Sequence, residues 1–155
     1  MDYKAYIINE TRQSMVSIFR NARAMPEDKL TWEVEGKGRS ALEQLQECAM
    51  SAVFFASILE QTELEPDFFD KARQIYRTWT TIDECEQHAK TNTERLFAAI
   101  RNVPDDDLHT EVELPNTNGQ TDTNFNVMSF QNWHFTYHNG QISFIQTLYG
   151  DRESH

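Results

Sequence analysis

The chain has 155 residues, 39% of them hydrophobic and 25% charged, which fits one globular domain over residues 1–155 and is far from a disordered composition. Its formal net charge is -11 and no Lys/Arg cluster interrupts the acidic background, so a nucleic-acid backbone or an anionic membrane surface would be repelled. No apolar run approaches the roughly 20 residues that span a bilayer, the N-terminus has no leader-like pattern, and Cys48 and Cys85 are far from any CxxC spacing. The expectation is a cytoplasmic protein with reduced thiols and neither nucleic acid nor membrane as a partner.

The first helical segment runs from about Asp2 to Met25, with apolar residues such as Ile7, Met15, Ile18 and Phe19 at three- and four-residue intervals until Pro26 stops it. Residues 26 to 38 hold Pro26, Gly36 and Gly38 around Trp32, a connection whose one aromatic is expected to tuck against the core. Ser40 followed by Glu43 reads as a capping box, opening a second helix from Ala41 to about Gln61. Residues 62 to 80 form a longer crossover past Pro66, with a short helix expected around Phe68 to Ile75. Thr80 or Thr81 caps the third helix, which runs to about Val103 before Pro104.

Residues 104 to 126 are acidic and then rich in Asn, Thr and Gly; Thr110 to Leu114 alternate, so a lid or surface loop with at most a short hairpin is expected. The fourth helix runs from near Asn126 to about Leu148, with Gly150 as its stop. Four helices, one long crossover and no convincing set of strands predict an all-α four-helix bundle. In bundles, metal and cofactor sites are built in the core from facing helices.

On the fourth helix, Val127, Phe130, His134, His138, Gln141, Ile145 and Leu148 share one stripe. An i, i+4 pair of imidazoles can reach one metal ion from a single helix face. The pattern also fits two neutral core histidines with separate acceptors, but unpartnered imidazoles in a core would each cost about 1–3 kcal/mol of desolvation. A third ligand must come from elsewhere, and the second helix offers Gln44, Glu47 and Cys48. Periodicity alone prefers Cys48, because the main apolar stripe through Leu42, Leu45, Ala49, Ala52 and Leu59 leaves Glu47 on the other side with Phe54 and Ile58. A lone cysteine is also simply a small buried hydrophobe. Gln141 is expected to bond the backbone, His88 to be exposed, His109 to sit in the polar loop and His155 to be terminal, while Trp32, Trp79, Trp133, Phe54 and Phe55 are expected in the core.

The stretch from Asn132 to Ile142, containing His134, His138, Gly140, Gln141 and Ile142, resembles the HxxxHxGQI signature that closes the last helix of the DinB/YfiT-like family. Leu45, Gln46, Glu47, Cys48 and Ala49 resemble that family's LxHLA segment, with Glu47 standing where the family has a histidine. The resemblance covers nearly the whole chain, and only its last helix is specific. It implies an up-down-down-up bundle, often a homodimer, with a divalent metal held by Glu47, His134 and His138. Nickel or zinc is the expected ion, and a two-His, one-carboxylate set also suits iron or manganese. It further implies a metal-dependent thiol transferase or hydrolase acting on a small molecule. The alternative is a non-catalytic stress-response bundle that binds a partner or small ligand and has weakened or lost its metal.

Overall fold

Side-chain caps and proline stops set the ends of the long helices in the computed structural model, which describes residues 2–115 and 117–155. α1 (Tyr3–Arg23) begins where the Asp2 carboxylate accepts from the Ala5 amide, and it ends ahead of Pro26. A single helical turn, α2 (Glu27–Leu30), follows. α3 (Ala41–Leu59) opens on the expected capping box between Ser40 and Glu43. The crossover carries α4 (Phe68–Tyr76), close to the expected short helix.

α5 (Ile82–Asn102) starts on a second capping box, Thr81 with Glu84, and ends at Val103 before Pro104. Two three-residue strands, β1 (Glu111–Glu113) and β2 (Thr121–Thr123), form an antiparallel hairpin in the segment expected to hold at most that. α6 (Asn124–Leu148) begins two residues earlier than expected, because the Thr123 hydroxyl at the end of β2 accepts from the Asn126 amide and caps it. The strand thus runs directly into the helix.

α3 packs against both α5 and α6, and α1 against α6 and α5, so the four long helices enclose the core. The buried apolar residues fall into two clusters. One contains Ile18, Phe19, Leu45, Trp79, Phe135 and Ile142, with Trp32 packed against it as expected. The other contains Ile8, Ala56, Leu96, Ile100 and Val127. Along each long helix the switch from one cluster to the other falls near a polar residue: buried Thr11, Thr93 and Gln131 on α1, α5 and α6, and half-buried Ser51 on α3.

Polar contacts also fix how α6 is turned. The buried Asn21 amide donates to Asn139 Oδ1 at 2.8 Å and to Ser143 Oγ at 2.9 Å, while Gln146 Nε2 donates to the Asn21 carbonyl at 3.1 Å. These bonds lock the rotation of α6 against α1. The inward positions are Val127, Met128, Gln131, Phe135, His138, Ile142 and Ile145. The expected stripe therefore lies at the edge of this face: His138 is inside it, His134 sits on its margin, and Leu148 is exposed. Trp133 is also a correction, since it is 62% exposed rather than core.

Candidate metal centre

α3 is buried on more than one side, because α5, α6 and α4 all pack on it. A face opposite the main apolar stripe is therefore not a solvent face, and both Glu47 and Cys48 reach α6. The Cys48 thiol is fully buried, 4.0 Å from the His134 carbonyl oxygen. The Glu47 carboxylate is half-buried, with Oε1 at 3.6 Å from His134 Nε2 and 3.8 Å from His138 Nε2. The two Nε2 atoms are 3.1 Å apart. Donor atoms of Cys48, His134 and His138 also lie within 4.8 Å of one another, so thiol and carboxylate flank the same histidine pair.

These spacings can be tested against a metal ion. Bonds of about 2.0–2.2 Å meeting at roughly 90–110° place donor atoms about 3–3.6 Å apart. The separations among Glu47, His134 and His138 fall in or just above that range, so the residues fit a shared cation.

The outer nitrogens support the same reading. His138 Nδ1 meets Gln44 Oε1, which can only accept, so the proton sits on Nδ1 and the Nε2 lone pair points into the site. His134 Nδ1 is 3.0 Å from Ser51 Oγ. The Ser51 hydroxyl is also 2.9 Å from Gln131 Oε1 and 3.0 Å from the Cys48 carbonyl, so it has acceptors to donate to when it receives a proton from Nδ1. Both imidazoles then present lone pairs to one point, an arrangement that a cation between them stabilises. In its absence Ser51 can instead donate to Nδ1, which lets His134 Nε2–H donate to His138.

Burial lowers the pKa of His134 to about 4, helped by the positive charge of Arg39. His138 falls to about 3, through burial first and then the neighbouring His134 and Arg39 charges. Both rings are therefore neutral near pH 7, as metal ligation requires. Burial also raises the Cys48 thiol well above its ordinary range, which keeps it protonated while no cation is near. The second Glu47 oxygen pairs with the Arg39 guanidinium just ahead of α3.

His134, Glu47, Ser51 and Arg39 open onto a cavity of about 630 Å³ between α3 and α4. Phe54 and Phe55 pack half-buried against one core cluster, in line with expectation, and on their other side they wall this cavity with Phe68 and Phe69. Of the lid or surface loop expected at 104–126, no described residue lines this cavity, so the segment is a surface loop and α4 supplies the wall. Gln141 Oε1 is buried with no partner, so the expected backbone bond from that atom does not form. His88 is exposed and stacks on Trp79, His109 is exposed in its loop, and His155 pairs with Asp151 near the end of the chain. Gln44, offered by the second helix as a possible ligand, instead orients His138, while Ser51 and Arg39 are contributors that no motif in the sequence marks.

The fold and this cluster define a helical bundle with a candidate metal-ion site in its core. The chain belongs to the DinB superfamily, whose profile matches residues 8–142. It is similar in fold to a mycothiol-dependent maleylpyruvate isomerase, with a TM-score of 0.69 at 13% identity. That match covers 90% of this chain, and the chain spans only 60% of the isomerase. A DinB-like protein from Bacillus subtilis is similar with a TM-score of 0.65 at 15% identity, covering 97% of this chain and 96% of that one. No match was found among curated proteins. Among the described residues, no helix is long and apolar enough to cross a membrane.

Proposed function

We propose that the protein binds a divalent metal ion through Glu47, His134 and His138 and uses it in a transferase or hydrolase reaction on a small molecule. The observation that carries this reading is the spacing of the three donor atoms, 3.1, 3.6 and 3.8 Å. Glu47 is preferred to Cys48 as third ligand because the carboxylate opens onto the cavity and the thiol does not line it. Nickel or zinc is the proposed ion, with iron or manganese compatible with the same donors. A divalent ion held this way supplies Lewis acidity, acidifying a thiol or water that reaches it.

The chain's own residues do the rest. Gln44 and Ser51 hold the two imidazoles in register, and Arg39 partly neutralises Glu47. Phe54, Phe55, Phe68 and Phe69 give one side of the cavity an apolar wall. The thiol-transfer version is supported by the fold shared with the mycothiol-dependent isomerase, and it does not extend to that protein's substrate. A cytoplasmic setting is part of the proposal, supported by the free, buried Cys48 and Cys85. So is a homodimer, supported by Trp133, Tyr137, Phe144 and Leu148, exposed apolar residues on one face of α6; sedimentation at micromolar concentration should give twice the 18.2 kDa monomer mass, and a monomer would refute it.

One observation favours a second, non-catalytic reading: Arg39 already occupies a Glu47 oxygen, which would weaken metal binding. Titrating nickel or zinc into tag-free protein separates the two. Glu47→Ala should lower affinity on the order of 100-fold, while Cys48→Ser should change it by less than about threefold. The reverse pattern would make Cys48 the ligand, and no uptake by the unaltered chain would favour the non-catalytic bundle.

A further inference from the structure

The cavity beside the histidine pair runs against the charge of the molecule. In a chain of net charge -11, three arginines, Arg39, Arg73 and Arg77, border this one space. Its two carboxylates are already engaged: Glu47 by Arg39, and Glu43 by the Ser40 end of α3. Arg73 reaches Asp70 only at 4.0 Å between exposed side chains, an interaction worth little in water. Arg77 makes no ion pair among the described residues. Both stand near the C-terminal end of α4, where positive charge suits the helix dipole. The dipole accounts for their sign and not for their place on the cavity, which follows from sharing a face with Phe69 at four-residue spacing.

The remaining wall is mostly apolar, with a run of aromatic rings continuous with the site. Phe69 packs on Phe54 at 5.1 Å between ring centres, Phe54 on Phe55 at 5.6 Å, and Phe55 edge-on to His134 at 6.0 Å. His134 lines this space beside Phe55, and Arg73 and Arg77 border it from α4, so one ligand can touch both. Guanidinium forks match the planar geometry of a carboxylate better than any neutral group. The volume of about 630 Å³ is of the size that holds a small organic molecule.

We infer that this cavity takes a small organic carboxylate, its apolar body on the Phe54/Phe55/Phe69 wall and its carboxylate on Arg73 and Arg77, leaving the rest of the molecule within reach of His134. As the assignment of a substrate class, this rests on the proposed metal-dependent activity. As an assignment of binding it is separable from that activity, because the carboxylate is read by α4 rather than by the ion.

The test compares 4-phenylbutanoate with 4-phenylbutanamide by calorimetry, on full-length tag-free protein stripped with chelator and again after loading with nickel. The stripped protein should bind the carboxylate about tenfold or more tightly over the amide. Arg73→Gln/Arg77→Gln should bring the two within about twofold while leaving nickel content and the melting temperature unchanged, since both side chains are exposed. Equal binding of the two probes by the stripped chain overturns the inference. So does a preference that survives the double substitution, or one that appears only with nickel, which would place the carboxylate on the ion. A chain that takes up no nickel yet keeps the Arg-dependent preference supports the inference and defeats the metal reading alone.

Discussion

Gln44 settles the chemistry of His138 more firmly than burial does, because its side-chain oxygen can only accept and so fixes which imidazole nitrogen carries the proton. Ser51 is less restrictive. With three acceptors around one hydroxyl, it allows His134 either tautomer, and so lets the pair exist with or without a cation. Both histidines have pKa values below their ordinary 6.5, at about 4 and about 3, so the unfolded chain takes up protons that the folded chain refuses. The sign follows: stability of metal-free protein is full above about pH 6.5 and falls as pH drops toward 4. Urea midpoints measured from pH 7.5 to 4.5 should decline through that interval, and His134→Gln/His138→Gln should flatten the decline. A wild-type midpoint that is level across the interval would contradict the burial of the pair. The histidines were legible in the sequence through their four-residue spacing. Of their partners, Gln44 was in view only as a possible ligand and Ser51 not at all, since a serine at a helix midpoint carries no motif.

The rotation of α6 determines whether those histidines point at α3, and the Asn21 bonds to Asn139 and Ser143 fix that rotation. Asn21→Ala removes them and leaves Asn139 Oδ1 without its donor, which should cost about 1–3 kcal/mol in urea unfolding. A change within about 0.3 kcal/mol would show that apolar packing alone sets the helix. Caps and stops were read correctly for α3 and α5, because Ser40–Glu43 and Thr81–Glu84 are local devices that need no tertiary information. On α3 the periodicity puts Cys48 on the inward stripe, where it is fully buried, and Glu47 on another face, where it is half-buried but still reaches the histidines. A helix packed by three neighbours has no solvent side, and periodicity then cannot separate Glu47 from Cys48 as ligands. α4 was visible as a short helix, but its role as a cavity wall depends on Phe68 and Phe69 meeting Phe54 across the crossover.

At the scale of the whole molecule, the acidic surface and the Arg-bordered cavity divide the charge in a way that composition alone hides. The bundle and its family were legible from helix spacing and the closing His134-to-Ile142 segment, and the profile match over residues 8–142 bears out that resemblance. Two polar-seamed apolar clusters hold the frame, and the histidine pair sits at its margin, where α3, α6 and the cavity meet. Everything proposed for activity depends on an ion at that meeting point. The most direct measurement is anomalous diffraction from crystals of tag-free protein grown with nickel or zinc. A peak about 2.0–2.2 Å from His134 Nε2, His138 Nε2 and a Glu47 oxygen is the predicted result. Two imidazoles hydrogen-bonded to each other, with Glu47 still on Arg39 and no peak between them, would contradict it.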